Sequence, residues 1–293
     1  MRQHSPSSWA AISICIAALV HFALGFAIEF SVDEAHYALY AQHLAWSYFD
    51  HPPLVGWIQW PLISITSLEG IIRLIPEFLW VISCYLVYQV TLEIHHLIQG
   101  RNAGYLTSTL PAQNTCGLMA VLAIVAAPIP HVLAIGLLPD TLLTPLSLGL
   151  MLMALRWLSK EHFSVSDWVF TGILLGLSGL SKYTAAFSAF ALLLVFLSSP
   201  RKNWINTAGF WLAAIIALFC ISPVLYWNWT NDWISFKYQI AHGAGSTWLW
   251  RKLAAYVGLQ ILVYGPLLLL GTYLFIKYCV HGAKLSEIGR AHV

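Results

Sequence analysis

The chain has 293 residues, of which 59% are hydrophobic and only 9% are charged. This balance excludes an ordinary soluble domain, in which about a quarter of the residues are charged. The net charge of +2, with no run of lysine and arginine long enough to form a basic stripe, gives no indication of nucleic acid as a partner. The sequence is therefore that of a protein solvated mainly by membrane lipids.

Apolar segments long enough to cross a bilayer recur along the whole chain. Because a spanning helix needs about 20 apolar residues, proline, glycine and charged residues divide the sequence into about eight candidate spans. They cover residues 9–30, 71–98, 110–127, 141–158, 167–181, 184–199, 204–223 and 253–279. The sequence predicts an all-α membrane protein, a multi-spanning helical bundle.

The domain expected from this pattern covers residues 1–286, with a first external loop at about 31–70. Residues 287–293 follow the last apolar segment without a cap and resemble a translated sequencing adapter. We therefore expect a non-native tail and a transmembrane domain that is incomplete at its C-terminus.

Basic residues follow alternate spans, which is the positive-inside pattern of cytoplasmic connections. They are Arg2, Arg101, Arg156, Lys160, Arg201, Lys202, Lys277 and Lys284. The opposite connections are then external and hold most of the unusual polar side chains, namely Asp33, Glu34, Asp50, His51, Asp140, Lys182, Asn228, Asp232 and His242. Since a charge near the hydrocarbon costs about 2.5 to 3.5 kcal/mol, this convergence predicts a functional site, although each residue alone could simply end a helix.

The first external loop begins with a capping-box pattern, in which Ser31 precedes Glu34 by three residues. The pattern predicts an amphipathic helix that continues to about Trp46 and lies at the membrane interface. Its adjacent acids, Asp33 and Glu34, have two interpretations. They compensate the helix dipole, or one of them acts as a general base whose proton affinity the other raises.

Five motifs, in this order, resemble those of bacterial family 39 glycosyltransferases, relatives of protein O-mannosyltransferase and of the lipid A aminoarabinose transferase. They are Asp33 to Tyr37 (DEAHY), Asp50 to Pro53 (DHPP), Leu138 to Asp140 (LPD), Gly179 to Tyr183 (GLSKY) and Pro223 to Phe236 (PVLYWNWTNDWISF). The resemblance implies the C-type membrane glycosyltransferase fold in a bacterial inner membrane, with amphipathic helices in the first external loop and an active site facing the periplasm. It also implies a polyprenyl-phosphate sugar as donor, a lipid, glycan or protein as acceptor, inversion at the sugar, and no cofactor.

The resemblance assigns catalysis to Asp33, as the base that deprotonates the acceptor, with Glu34 orienting or tuning it. Lys182, beside Tyr183, matches the lysine that contacts the donor phosphate, although a lysine at a helix end also extends its amine to the interface without a further role. Asp140 matches the second acid of the family, which holds the acceptor or braces the first loop. It fits equally well as the N-cap of the following helix.

The remaining motif positions are predicted to bind substrate, and they are His36, Tyr37, Asp50, His51, Asn228 and Trp233. His36 and His51 stand where the aminoarabinose transferase pattern has arginine and lysine, which argues against aminoarabinose as the sugar. Trp233 fits sugar stacking or an interfacial aromatic belt. The histidine and acid spacings match no metal site, so no metal is expected.

An alternative reading is a transporter or a lipid-linked-sugar flippase, since these proteins also combine many spans with intramembrane charge. Such proteins tend to carry charges near the midplane and to show internal repeats. In this sequence the charges gather at one face and no repeat is evident, which favours the transferase. A third alternative is that the fragment is inactive without the residues that follow it in the family.

Overall fold

The computed structural model describes residues 5–101, 111–159, 163–198, 204–244 and 249–290. Within these ranges all regular secondary structure is helical, which confirms the predicted all-α fold class. The α-helices are α1 (Pro6–Ala27), α2 (Val32–Gln42), α3 (Leu54–Ile63), α4 (Glu69–Ile72), α5 (Leu74–Arg101), α6 (Gln113–Ala126), α7 (Pro128–Ile135), α8 (Pro139–Ser159), α9 (Val165–Ser181), α10 (Ala185–Ser198), α11 (Ala208–Thr230), α12 (Ile234–Ala244) and α13 (Trp250–Arg290).

Five helical segments of the described chain are long and apolar enough to cross a membrane, and there are six if a bent pair is counted as one span. The five are Pro6–Ala27, Glu69–Gln99, Pro139–Ser159, Ala208–Thr230 and Trp250–Tyr273. The predicted spans at 167–181 and 184–199 form α9 and α10, which have only 17 and 14 residues. At 1.5 Å per residue, each of these helices is shorter than a hydrocarbon core of about 30 Å. They are separate helices because the extended backbone of Lys182 ends α9.

The predicted third span at 110–127 forms α6, and the short α7 follows it at an angle of 72°. Pro128 opens α7, and it cannot donate the backbone hydrogen bond that would continue α6. Ala127 between them is extended, with φ −86° and ψ 128°. The short α7 then leads through Gly136 to the start of α8, which fixes the position of Asp140.

Helices α9 and α11 pack closely because small residues line their contact. A Cβ added at Gly172 would lie 2.6 Å from the carbonyl oxygen of Ala213, and one at Gly176 would lie 2.4 Å from the Cβ of Cys220. Two glycines four residues apart permit this approach of one helix to the other. Between α8, α9, α10 and α11 lies an apolar core that includes Trp157 and Trp168.

The first loop confirms the capping box of α2, since Ser31 and Glu34 bond each other's backbone amides. The helix ends at Gln42 rather than near Trp46, which corrects the predicted boundary. The Tyr48 hydroxyl donates to the carbonyl oxygens of Tyr40 and His43 and so stabilises the end of α2. The basic residues Arg2, Lys160, Arg201 and Lys202, and the tail residues 291–293, lie outside the described residues.

Candidate functional site

Glu34 is buried in the first turn of α2 and forms an ion pair with Arg73, which lies between α4 and α5. Arg73 Nε donates to Glu34 Oε1 at 2.8 Å, and a second guanidinium nitrogen donates to Oε2 at 3.1 Å. The remaining donors of Arg73 bond the carbonyl oxygens of Gly25, Ile28 and Glu29 at the end of α1. This arrangement fixes α2 against α1 and α5, and it commits both carboxylate oxygens of Glu34.

Asp33, by contrast, is exposed and accepts no hydrogen bond from the described part of the chain. Its position follows from that of Glu34, because the two are neighbours in a helix turn that the Arg73 contacts hold in place. A free carboxylate on a fixed backbone can take a proton from an incoming hydroxyl group. Among the two adjacent acids, only Asp33 is therefore placed to act as a base.

Asp140 and Lys182 form a second ion pair, between the start of α8 and the end of α9. Lys182 Nζ lies 2.8 Å from Oδ1 and 2.7 Å from Oδ2 of Asp140. The Ser181 hydroxyl donates to the carbonyl oxygen of Pro139 at 2.7 Å and ties the two helix ends together. The Lys182 and Asp140 side chains are 25% and 49% exposed, so solvent or a ligand reaches the pair.

The charged residues of the first loop and of these helix ends gather around Tyr37 and His51. Burial, and then the charges of Asp50, Asp33 and Asp140, raise the pKa of the Tyr37 phenol. Burial lowers the pKa of His51, and the nearby Lys182 adds to this effect while Asp50 opposes it. We refer to this end of the helical bundle, which holds Asp33, Asp50, Asp140 and Lys182, as the Asp140 end.

At neutral pH the phenol of Tyr37 is therefore protonated and the ring of His51 is neutral. The two rings meet edge to face, with centroids 5.6 Å apart. Nδ1 of His51 is buried and makes no hydrogen bond within the described residues. Tyr37 can donate a hydrogen bond to a ligand at the Asp140 end, and the ring of His51 adds little charge there.

Asp50 is the centre of a hydrogen-bond network within the first loop. It accepts a short hydrogen bond from the Tyr40 hydroxyl and lies 3.2 Å from Nε2 of His36. Burial opposes ionisation of Asp50, but the Tyr40 hydrogen bond and the nearby His51 outweigh it and lower the pKa of the carboxyl. Tyr48 stacks on Tyr40 with ring centroids 3.6 Å apart. Asp50 is thus held as a carboxylate that organises the loop.

Tyr183 and Asn228 connect the first loop to α11 and α12. The Tyr183 hydroxyl lies 3.3 Å from Ser47 Oγ and 3.5 Å from Nδ2 of Asn228. Asn228 is fully buried, and its side-chain oxygen accepts from the backbone amide of Ser235 at 3.2 Å. These contacts give Asn228 a structural role and leave the Tyr183 hydroxyl at the border of the site.

Helix α12 covers the first loop from the other side. Ser235 Oγ donates to the carbonyl oxygen of Tyr48 at 2.8 Å, and Gln239 Nε2 donates to that of Asp50 at 2.6 Å. Trp233 precedes this helix with a positive φ of 57° and packs on Phe236, with 43% of its surface exposed. Trp233 therefore lies at the edge of the Asp140 end rather than among its charged residues.

Two apolar grooves lead away from the Asp140 end between the helices. One of about 630 Å³ follows α8 from Leu142 to Arg156, between α5 and α9. The other, of about 240 Å³, begins at Lys182 and Tyr183 and lies between α9, α10 and α11. Their linings are mostly aliphatic, and both are suited to hydrocarbon chains.

Two residues of the site were not singled out by the sequence. Arg73 is a lone cation in the apolar run Ile71 to Pro76, and a cation in such a run is itself a signal of a buried partner. Ser47 carries no signal of this kind, because its contact to Tyr183 joins residues 136 positions apart. Only the folded chain shows that they belong to the same end of the bundle.

Part of the chain matches a known protein family. Residues 105–227 match the family described as dolichyl-phosphate-mannose-protein mannosyltransferase. No curated protein and no solved structure matches the chain significantly. The matched segment includes Asp140, Lys182 and Tyr183 and leaves the first loop with Asp33 outside. Together with the several apolar helices, the match supports a multi-pass membrane protein that is similar to C-type glycosyltransferases.

Proposed function

We propose that this chain transfers a sugar from a polyprenyl-phosphate donor to a lipid, glycan or protein acceptor, with inversion, at the periplasmic face of a bacterial inner membrane. The observation that carries the proposal is the meeting of two features at the Asp140 end. One is the free carboxylate of Asp33, and the other is the solvent-accessible pair of Lys182 and Asp140.

In this reaction Asp33 accepts the proton of the acceptor hydroxyl as the oxygen attacks the anomeric carbon of the sugar. A new carbon–oxygen bond forms on one side of that carbon, and the bond to the phosphate oxygen breaks on the other. The polyprenyl phosphate leaves with the bonding electron pair, so its negative charge increases. Lys182 stabilises that charge, since a fixed cation favours the state in which charge develops.

The pair of Asp140 and Lys182 prepares the ammonium group for this task. Both carboxylate oxygens of Asp140 hold Lys182 Nζ in one place before a donor arrives. An incoming phosphate oxygen can share the ammonium with the carboxylate, because Lys carries three donors. Holding a catalytic group in position beforehand lowers the entropy cost of the reaction.

Glu34 contributes through position rather than chemistry. Its oxygens are bonded to Arg73 and to the backbone amide of Ser31, so neither is available to a substrate. We therefore propose that Glu34 positions Asp33. This narrows the expectation from the sequence, in which Glu34 either orients or tunes Asp33.

The apolar grooves support a lipid-linked donor. A polyprenyl chain needs a hydrocarbon environment next to the place where its phosphate binds. The groove that begins at Lys182 and the groove along α8 both offer one within the helical bundle. A soluble nucleotide sugar has no hydrocarbon chain that could occupy either groove.

Replacing Asp33 by Asn tests the assignment of the base. We expect transfer to fall by about 100- to 10,000-fold, the usual range for loss of a general base, because the amide cannot accept the proton. The variant should insert and unfold like the wild type, since Asp33 makes no hydrogen bond within the described chain. The measurement is transfer of radiolabelled sugar from polyprenyl phosphate by purified protein in detergent or liposomes.

The matched control is Glu69→Gln, which removes a carboxylate from α4 that has no hydrogen-bond partner among the described residues. This variant should transfer sugar at the wild-type rate. Retained transfer in Asp33→Asn would remove Asp33 from the mechanism. A wild-type protein that moves labelled donor across liposomes without consuming it would instead indicate a flippase.

A further inference from the structure

The apolar groove along α8 ends at an arginine on the side of the bundle opposite the Asp140 end. Asp140 lies in the first turn of α8, and Arg156 lies in its last turn. The lining of the groove includes Leu142 and Arg156 of this helix, which are about 21 Å apart at 1.5 Å per residue. Since half of a hydrocarbon core measures about 15 Å, the groove is long enough to hold a lipid chain along one leaflet.

Arg156 differs from the other described cations of the bundle in having no anionic partner. Among the described side chains of α1 to α11, those of Arg73, Arg156 and Lys182 are cationic. The first and the last of these form ion pairs with carboxylates. The Arg156 side chain makes no hydrogen bond or ion pair within the described chain. Its charge is therefore available to an anion from outside the chain.

A carboxylate near this end of the groove is already hydrogen bonded to another residue. Ser159 Oγ donates to Glu93 Oε1 at 2.8 Å, three residues beyond Arg156 on α8. Glu93 forms no ion pair with Arg156 in the described part of the chain. The guanidinium group of Arg156 thus keeps its five N–H donors for a ligand.

Two ordinary roles of an arginine at a helix end leave these donors unused. A cation in the last turn of a helix offsets the helix dipole, and a long side chain at an interface extends its charge towards water. Arg156 is suited to both roles, but neither requires an apolar groove beside the guanidinium group. Because Arg156 is only partly exposed and lines the groove, its charge lies next to hydrocarbon, where an unpaired charge is costly.

The groove is open to the membrane between α5 and α9. Tyr85 of α5 and Phe170 of α9 line it and are 58% and 53% exposed. The rest of the lining is mostly aliphatic and includes Ile82, Leu86 and Leu146. A hydrocarbon chain can therefore enter from the bilayer, whereas a water-soluble anion gains nothing from these aliphatic walls.

We propose that the groove along α8 binds one anionic phospholipid, with an acyl chain between α5, α8 and α9 and the phosphate on Arg156. Basic pockets between spanning helices on the cytoplasmic side of a membrane bind lipid head groups in this way. In the orientation proposed above, Arg156 lies in the cytoplasmic leaflet. The lipid site itself does not depend on the transferase proposal.

The polyprenyl chain of a sugar donor is less suited to this groove. In the proposed mechanism the donor phosphate lies at Lys182, where the groove of about 240 Å³ begins. A donor chain in the groove along α8 would place uncharged isoprene units beside Arg156 and leave the arginine unpaired. We therefore expect the donor chain in the groove that begins at Lys182, and this last point rests on the proposed function.

Arg156→Gln tests the contact with the phosphate. Native mass spectrometry of purified protein in detergent measures binding of dioleoylphosphatidylglycerol, which is anionic, and of dioleoylphosphatidylcholine, which has the same acyl chains. The wild type should bind phosphatidylglycerol more tightly than phosphatidylcholine. In the variant the dissociation constant for phosphatidylglycerol should rise by about fivefold, the usual contribution of one basic residue at a membrane surface. Binding of phosphatidylcholine should change little.

Arg251→Gln is the matched control for the loss of charge. Arg251 is an exposed arginine of α13 that lies outside the groove lining and has no partner within the described residues. This variant should bind both lipids as the wild type does. Leu86→Trp keeps Arg156 but fills part of the groove with an indole ring, so it should weaken the binding of both lipids.

An equal loss of phosphatidylglycerol binding in Arg156→Gln and Arg251→Gln would overturn the proposal, because the attraction would then be general to the basic surface. Displacement of the bound phospholipid by polyprenyl phosphate would also overturn it, because the groove would then hold the donor chain. Neither result bears on sugar transfer, which the Asp33→Asn assay measures separately.

If Arg156→Gln does not fold, the wild-type protein still decides the question. Phosphatidylglycerol that carries a photoactivatable diazirine on one acyl chain should cross-link to groove residues of α5, α8 and α9. Peptide mass spectrometry after irradiation identifies the labelled residues. Labelling confined to the exposed surfaces of α1 and α13 would overturn the proposal.

Discussion

Two ion pairs lie near the Asp140 end, and they differ in how far solvent reaches them. The side chains of Arg73 and Glu34 are 3% and 7% exposed, whereas those of Lys182 and Asp140 are 25% and 49% exposed. Arg73 also bonds three backbone carbonyl groups of α1 and its following turn. Lys182 Nζ bonds only the carboxylate of Asp140 within the described chain.

The comparison shows that burial decides what an ion pair does in this molecule. A buried pair whose donors are all used holds helices in place and is strongly destabilising to break. An accessible pair contributes little to stability, and its ammonium remains available to another anion. Arg73 and Glu34 thus hold the first loop in place, whereas in the proposed mechanism Lys182 is the residue that binds the donor phosphate.

Arg73→Met should have the largest effect on stability. The change leaves the Glu34 carboxylate buried without its cation, which costs about 3 to 5 kcal/mol for a pair of this kind. Unfolding of the purified variant in detergent should therefore occur at much lower temperature or denaturant concentration than that of the wild type. Transfer should be lost together with the fold of the first loop.

The matched control for this change is the double variant Arg73→Met and Glu34→Gln. The glutamine is neutral and can still accept from the backbone amide of Ser31, as Glu34 does at 2.9 Å. Removing both charges should recover much of the lost stability, because no buried charge is left unpaired. Equal destabilisation of the single and double variants would mean that the lost carbonyl contacts, and not the charge, hold the loop.

Tyr40→Phe should have an intermediate effect that depends on pH. The Tyr40 hydroxyl donates to Asp50 and helps to lower the pKa of that carboxyl against the effect of burial. A carboxyl with a lowered folded-state pKa stabilises the protein above its unfolded pKa of about 3.9 and loses this contribution as the pH falls. We expect a loss of about 1.5 kcal/mol at pH 7, which narrows as Asp50 is protonated below about pH 4.

Tyr48→Phe is the control, because the Tyr48 hydroxyl donates to backbone carbonyl groups that do not titrate. Unfolding curves for both variants between about pH 2 and 7 separate the two cases, because the contribution of Asp50 is lost only below its unfolded pKa of about 3.9. A stability loss in Tyr40→Phe that is the same at every pH would show that its hydrogen bond to Asp50 does not favour the ionised carboxyl.

Features that depend on neighbouring residues were predictable from the sequence. The capping box of Ser31 and Glu34 and the end of α9 at Lys182 follow from local patterns, and both are present in the fold. The pairing of Glu34 with Arg73 joins residues 39 positions apart and has no local pattern. For the same reason the sequence could not show which of two adjacent acids is free, since only the position of Arg73 separates Asp33 from Glu34.

Two of the predicted spans form helices that are shorter than a bilayer requires, for a physical reason of the same kind. Apolar runs at 167–181 and 184–199 are equally compatible with a membrane span and with a short buried helix, because periodicity does not distinguish them. In the fold, α9 packs on α11 through Gly172 and Gly176, so tertiary contacts cover an apolar helix that is too short to span. The sequence shows the two glycines, but it does not show that α11 is the helix that packs against them.

Lys182→Ala should have the smallest effect on stability and a selective effect on function. Because the pair is partly exposed, its loss should change the free energy of unfolding by no more than about 1 kcal/mol. Transfer assays at varied donor and acceptor concentrations should show weaker use of the polyprenyl-phosphate donor with little change for the acceptor, since only the donor carries the phosphate that Lys182 contacts in the proposed mechanism.

Lys237→Ala provides the control, because Lys237 is an exposed lysine of α12 whose side chain has no partner within the described residues. It should leave both stability and donor use unchanged. If Lys182→Ala were as destabilising as Arg73→Met, the accessible pair would also hold the fold together. The proposed difference in role between the two ion pairs would then be wrong. If donor and acceptor use declined equally, the two ion pairs would still differ in their effect on stability. The proposed contact of Lys182 with the donor phosphate would, however, be contradicted.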